Sequence, residues 1–555
     1  SDKLSEHILS VFINDILKEK SFKRTTKTKI LNELAASKIH HFYYSSNKNL
    51  VKKANEFFLT FGASRDFSVA FPDNCVWFKN SVADGASHGA PITVNQVEFQ
   101  IHNKLLFNTL RLFKPWEDTL QLGTLIKILE NVPELVAPYS VFLTTNGNYD
   151  PKMTSYWFGI TLLINKIINL KIPQFMEKVD SNIPPATSLV IENILPSLLT
   201  KSSLVKSLQF ETPIIRQLAC QSIVLALKKL EKVSIFYDQK GWRNEKTILL
   251  NEFHTRIPDL PIFVSTLSNS LTSNKDNRIL PLSISIIFNY YSKMFPNLFS
   301  INLPSSNIYT DIMQKSKISG IEFAILDNYL QFQEFNSTQT RWWNPSSLFT
   351  LLLKLASSKN ASNVITTRIS NLLDELTRTN VIFNISLISP VMALVNSLQG
   401  LSLQVSEIDN MEQVWKWFDE TISRVVKTPY KYVDMAKEYN YISPFIMCLS
   451  EQWKYVDKSG NPEFLIKWLI LFLRNMIFIG EDHIGIDKLV KNVFPEVSDH
   501  DVNIYLKLDS FEENIKKTNS SNSLISSMKS SSFFQYISAL PSKNLMNISR
   551  LPVNK

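Results

Sequence analysis

An all-α fold, its helices stacked side by side as an α-solenoid, is the fold class this sequence predicts. Three observations carry it: a shortage of glycine, prolines placed where helices begin, and helical periods that recur along the chain. Glycine occurs 12 times in 555 residues, where average usage near 7% would give about 39. Glycine supplies the left-handed turns of hairpins and the loops that cradle phosphates. Its scarcity argues against barrels, sandwiches and nucleotide-binding α/β enzymes.

Length points the same way. A chain of 555 residues exceeds the roughly 250–300 residues at which single cores stop growing. It must therefore split into domains or extend as a stack in which each unit buries its apolar face on its neighbours. With 44% apolar and 20% charged residues the composition is that of a folded protein.

Seven of the 24 prolines follow a residue type that caps helix N-termini: Asp150-Pro151, Thr212-Pro213, Asn344-Pro345, Ser389-Pro390, Thr428-Pro429, Ser443-Pro444 and Asn461-Pro462. A capping side chain accepts an orphan backbone N–H, and proline at the first helical position loses no hydrogen bond. The pattern predicts many helices of modest length, with plain turns as the alternative at some of these sites.

The clearest helix spans 213–233, PIIRQLACQSIVLALKKLEKV. At about 100° per residue, Ile215, Leu218, Ala219, Ile223, Leu225, Ala226, Leu227 and Leu230 cover a broad arc opposite Gln217, Gln221, Lys228, Glu231 and Lys232. So wide an arc predicts contact with helices on more than one side. Similar periods at 94–113, 153–170, 186–199, 280–295, 346–358, 364–378, 391–398, 411–426 and 462–479 pair into units of about 40 residues, the spacing of HEAT or armadillo-like repeats.

The predicted organisation is a basic helical segment opening the solenoid (1–80), a loop (81–93), the helical-repeat array (94–514), a flexible Ser/Lys/Asn-rich linker (515–533) and a C-terminal segment (534–555). The most apolar stretch, 464–480, carries Lys467 and Arg474 and falls short of the about 20 residues a membrane span needs. It reads as a buried helix, and no membrane partner is expected. The absence of a starting Met suggests a processed product or a fragment.

Net charge is +9, and its distribution is uneven. Between Lys18 and Lys53 ten basic residues (Lys18, Lys20, Lys23, Arg24, Lys27, Lys29, Lys38, Lys48, Lys52, Lys53) face two acidic ones, Glu19 and Glu33. Such an excess attracts phosphate backbone with salt-dependent affinity. Lys18, Lys20, Lys23, Arg24, Lys27, Lys29, Lys52 and Lys53 are the candidate RNA contacts. The alternative is a solvated helical face that binds nothing.

Catalytic signatures are missing: the sequence holds no Walker A loop, no strand-borne GxGxxG, no GxSxG elbow and no HExxH. His40-His41 diverge by about 100° on a helix and make a poor metal site. Glu117-Asp118 suits a helix cap. Cys75, Cys220 and Cys448 lie too far apart for a metal knuckle or disulfide framework and read as inert thiols of a reducing compartment. No catalytic, cofactor-binding or metal-binding residue, no cofactor and no small-molecule substrate is expected. Trp342-Trp343, beside Arg341, and Trp415-x-Trp417 could stack on unpaired bases, with packing between helices as the alternative.

Several segments occur together in a telling order: FKPWEDTL (113–120), LENVPELVAPY (129–139), DPKMTSYWFGITLLINKIINLKIP (150–173), ETPIIRQLACQSIVLALKKLEKV (211–233), RWWNPSSLFTLLLKLAS (341–357) and ISRVVKTPYKYVD (422–434). Taken together they resemble the N-terminal region of the nucleolar pre-ribosomal-associated protein 1 family. Each is mainly a helix-packing pattern, and their joint occurrence carries the resemblance. It implies a nuclear and nucleolar, non-catalytic scaffold of early pre-60S particles, needed for large-subunit assembly and 25S/5.8S precursor processing. Its implied partners are pre-ribosomal RNA and assembly factors, among them a DEAD-box helicase. Family members are much longer, so this chain would be the N-terminal portion. A helical-repeat transport receptor or coat-like solenoid shares every structural argument above and stays open as the alternative.

Overall fold

The computed structural model describes residues 2–71, 89–146, 149–173, 184–273, 278–301, 309, 312, 319–334, 348–357, 363–378, 381–384, 389–404, 409–456 and 463–494. The chain forms two compact units, Ser1–Asn302 and Leu303–Lys555.

The first unit opens with α1 (Asp2–Val11), which runs on into a π-helical turn, Phe12–Leu17. There follow α2 (Arg24–Ile30), α3 (Glu33–His40) and α4 (Lys48–Phe58). Side-chain caps start several of these helices: Asn32 Oδ1 accepts from Ala35 N at 3.0 Å and Asn47 Oδ1 from Asn49 N at 3.0 Å.

Next comes the one departure from helix among the described residues, an antiparallel hairpin of β1 (Ala90–Val94) and β2 (Val97–Ile101). The helix expected over 94–113 is corrected by it; of the loop expected over 81–93, residues 81–88 lie outside the described residues and 90–93 are strand. Ile92, Val94, Phe99 and Ile101 are buried at every second position, the strand period. Asn95 and Gln96 take the positive φ of a tight turn without any glycine, which is why glycine counting misses it. Only α5 (Lys104–Leu110) remains of the expected helix.

Beyond it run α6 (Thr119–Asn131), α7 (Val136–Leu143), α8 (Ser155–Ile168), α9 (Thr187–Ile194), α10 (Lys201–Leu208) and α11 (Pro213–Lys240). The unit closes with α12 (Arg243–Arg256), α13 (Leu260–Ser273), α14 (Ile279–Met294) and α15 (Pro296–Ile301). The broad apolar arc of α11 meets α8, α10 and α14. Ser222 on α11 donates to Asn165 Oδ1 on α8 at 2.7 Å, and Gln217 donates to Ser283 on α14 at 2.8 Å. α11 continues seven residues past the sequence boundary and ends at Gly241, whose φ of +77° is the left-handed cap that glycine favours.

The second unit contains α16 (Gly320–Glu334), α17 (Leu348–Ser357), α18 (Asn363–Arg378), α19 (Pro390–Gln404) and α20 (Asp409–Lys427). α21 (Pro429–Ala436), α22 (Pro444–Trp453), α23 (Glu463–Phe478) and α24 (His483–Val493) follow among its described residues. α23 is the apolar stretch of the sequence analysis. Its Trp468 donates to Ser397 Oγ at 3.1 Å and its Asn475 to Ala393 O at 3.1 Å, both on α19. No helix among the described residues is long and apolar enough to cross a membrane.

Pro213, Pro390, Pro429 and Pro444 open helices as expected. The hydroxyls of Thr212, Thr428 and Ser443 make no cap hydrogen bond, however; Ser443 instead donates to Glu481 at 2.6 Å. Asp150-Pro151 starts no helix, since α8 begins at Ser155 with Thr154 as its cap. Pro345 and Pro462 lie outside the described residues.

Among the described residues every well-packed pair of elements lies within about four helices along the chain, as a stacked array requires. The fold class is therefore all-α, a solenoid of helical repeats.

Candidate nucleic-acid interface

The basic N-terminal residues sit on α1 to α4 and the turns between them. The π-helical turn ends at Leu17, whose carbonyl has no partner within its helix. Lys27, on α2, reaches back and donates its ammonium to Leu17 O at 2.6 Å. A cation on a helix's last carbonyls is favourable, and the tie closes residues 18–23 into a loop.

That tie removes Lys27 from the candidate contacts. Its side chain is only 3% exposed, and burial, with the Arg24 charge beside it, holds its ammonium below the usual lysine range. The correction has a simple cause: Lys27 lies on the inner face of α2, while Lys29 lies on the outer.

Lys18, Lys20, Lys23, Lys29 and Lys52 are exposed, and Arg24 and Lys53 are half-buried. Arg24 Nη2 donates to Arg65 O at 3.1 Å. Lys18 Nζ lies 3.9 Å from Glu56 Oε1, and Lys53 Nζ 3.6 Å from Glu56 Oε2. Glu56 thus stands between two of the candidate cations and dilutes the charge they offer. It falls three residues beyond the window in which the basic excess was counted. Lys20, Lys23, Lys29 and Lys52 have no carboxylate partner among the described residues.

His40 is buried between Phe58 and Phe113, with its ring 3.2 Å from Gln121 Oε1, and burial keeps it below the usual histidine range. No group of three or more His, Cys, Asp or Glu among the described residues could hold a metal ion. Asp118 caps α6 by accepting from Leu120 N at 2.9 Å. Cys220 and Cys448 are buried free thiols pushed up to about 12, and Cys75 lies outside the described residues.

Trp415 and Trp417 are buried, Trp417 against Trp453 and Trp468, so packing between helices accounts for them. Trp342, Trp343 and Arg341 lie outside the described residues. Among the described residues the most exposed aromatic side chains are tyrosines: Tyr44, Tyr430, Tyr441 and Tyr455. Sequence reasoning passed over them because it looked for stacking groups among tryptophans. The signal it could have used is the run Lys427-Thr428-Pro429-Tyr430-Lys431, where basic residues alternate with a tyrosine.

Comparison with known proteins brings in three findings. Residues 1–160 match the family model described as "Ribosome 60S biogenesis N-terminal". Residues 337–523 match "URB1, central HEAT repeat domain". The chain is also 99% identical, over 559 aligned residues, to "Nucleolar pre-ribosomal-associated protein 1" of Saccharomyces cerevisiae, covering 100% of this chain and 32% of that protein. The chain therefore spans about a third of that relative's length. No solved structure matches it.

Proposed function

The chain belongs to the nucleolar pre-ribosomal-associated protein 1 family, and we propose that it is part of a non-catalytic scaffold of early pre-60S particles in the nucleolus, supporting large-subunit assembly and pre-rRNA processing. The observation that carries this reading is its near-identity, along all its length, to a protein whose name places that protein on pre-ribosomes. The match of its first 160 residues to a family described by 60S biogenesis supports it. So does the fold, because stacked helices offer long outer surfaces on which several partners can dock at once.

In this reading the N-terminal segment contacts pre-ribosomal RNA. Lys18, Lys20, Lys23, Arg24, Lys29, Lys52 and Lys53 supply phosphate contacts that position the RNA without reading its sequence. Lys27 acts from beneath, by fixing the loop that presents Lys18, Lys20 and Lys23. Assembly factors, a DEAD-box helicase among them, dock on the helical array.

Crosslinking in cells tests the proposal. Reads enriched on precursor ribosomal RNA, together with co-purifying large-subunit assembly factors, are expected. Their absence, with cargo or coat proteins recovered instead, would favour a transport or coat-like solenoid.

A further inference from the structure

We propose that Arg424, Lys427, Tyr430, Lys431, Lys454 and Tyr455, in the second unit, form a separate contact for single-stranded RNA, the two tyrosines stacking on unpaired bases. The choice of RNA rests on the function proposed above; the location and the mode of binding rest on the geometry.

The patch is organised around Glu451 of α22. Lys431 Nζ lies 2.5 Å from Glu451 Oε1, and Tyr432 Oη donates to Oε2 at 2.7 Å, fastening the start of α21 to α22. Burial pushes the Glu451 carboxyl up, but the hydrogen bonds from Lys431 and Tyr432 and the charges of Lys431 and Arg424 outweigh it and hold it low. Arg424, at the end of α20, thus joins the same group. Lys454, the C-cap of α22, and Tyr455 follow Glu451 by three and four residues, and Tyr455 N donates to Gln452 O at 3.0 Å, so the chain stays in a tight turn directly beyond the helix that carries Glu451.

Exposure separates the working tyrosines from the structural one. Tyr432 is 1% exposed, whereas Tyr430 and Tyr455 are each 73% exposed. Glu451 is already engaged by Lys431 and Tyr432 and feels the charge of Arg424, while Lys427 and Lys454 have no carboxylate partner among the described residues. Two further acids lie within a turn of the patch among the described residues: Glu420, one turn before Arg424 and exposed, and Asp434, three residues after Lys431, which Lys437 engages at 2.8 Å. Among the described residues Arg424, Lys427, Lys431, Lys437 and Lys454 therefore outnumber Glu420, Asp434 and Glu451 around two aromatic rings in water. That pairing of charge for the backbone and flat rings for the bases is what binds single strands, and a duplex hides the base faces the rings would need.

The test uses the whole 555-residue chain and two labelled RNA oligomers of equal length, one unstructured and one a duplex, with anisotropy read over a salt series. The wild type should prefer the single strand. Y430A/Y455A should weaken single-strand binding about tenfold or more while leaving the salt slope in place, and Y430F/Y455F should restore it. K427E/K454E should weaken binding to both RNAs and flatten the slope by about 1.4, at 0.7 per phosphate. Circular dichroism of each variant confirms that the helices persist. Wild-type binding that survives Y430A/Y455A unchanged would overturn the patch alone, as would loss of a protein partner with RNA affinity intact. A wild-type chain that binds neither RNA would overturn the RNA reading and the patch with it.

Discussion

Glu192 on α9 and Arg256 at the end of α12 form a bridge between helices that are distant in sequence: Arg256 Nη1 lies 2.8 Å from Glu192 Oε1. Glu192 is nearly buried, and it also accepts from Ser197 N at 2.8 Å and from the Ser197 hydroxyl. Arg256 is steadied from its own helix by Glu252 at 3.0 Å.

Removing the arginine would leave a buried carboxylate with only the Ser197 donors. We expect Arg256→Ala to destabilise the first unit by about 2 kcal/mol, and Arg256→Lys by less, because an orphaned buried charge costs more than the pair contributes. Urea unfolding of the two variants against wild type measures the difference. Equal midpoints for all three would show that the bridge is ornamental.

A buried ammonium gives a pH signature. Lys229 on α11 is pulled down to about 7, first by burial and then by the charge of Lys232, from 10.5 in water. Between those values the unfolded chain binds the extra proton, so this group makes stability rise as pH rises from about 7 towards 10.5. Lys229→Met should therefore stabilise the fold by about 1–3 kcal/mol near neutral pH. The gain should shrink as the pH approaches 10.5. Midpoints recorded across that range should converge; a constant offset would contradict the assignment.

Two helical glycines should respond in opposite ways to alanine. A Cβ at Gly159 on α8 would lie 2.3 Å from Trp116 O, and backbone cannot yield there. Gly159→Ala should cost about 1–3 kcal/mol. Gly123 on α6 is exposed with nothing within 4 Å of the added carbon. Gly123→Ala should stabilise by about 0.5–1 kcal/mol. Thermal melts of the pair decide it, and the same sign for both would be the surprise.

At the N-terminal segment, Glu56 sets a sharper test than any single lysine. Glu56→Gln frees Lys18 and Lys53 from their shared carboxylate and should tighten RNA binding. Lys23→Glu with Arg24→Glu and Lys29→Glu should weaken it and reduce the salt slope by about 2. Anisotropy titrations at several salt concentrations read both effects. Unchanged affinity in Glu56→Gln would place RNA contact elsewhere on the chain.

Much of the helix pattern is legible in the sequence because period and caps agree. The expected 280–295 and 364–378 became Ile279–Met294 and Asn363–Arg378. The hairpin was not legible, since its strands are five residues each and its turn uses Asn95 and Gln96 rather than glycine. Within the basic segment, sequence finds the charges but not their direction. Lys27 and Lys29 are two residues apart, yet one is a buried strut and the other faces water. Spacing along the chain allows the Lys53–Glu56 pair, three residues apart on α4, but not Lys18–Glu56 or Lys431–Glu451, whose partners come from elsewhere in the chain.

Because each helix leans chiefly on those a few places away in the chain, little loop entropy is spent before contacts form, and assembly can begin at many points. Injury should stay equally local. A fault such as alanine at Gly159 would loosen α8 and its immediate companions long before distant turns feel it, so hydrogen exchange should report melting in patches, and a bound partner could brace one stretch while another breathes.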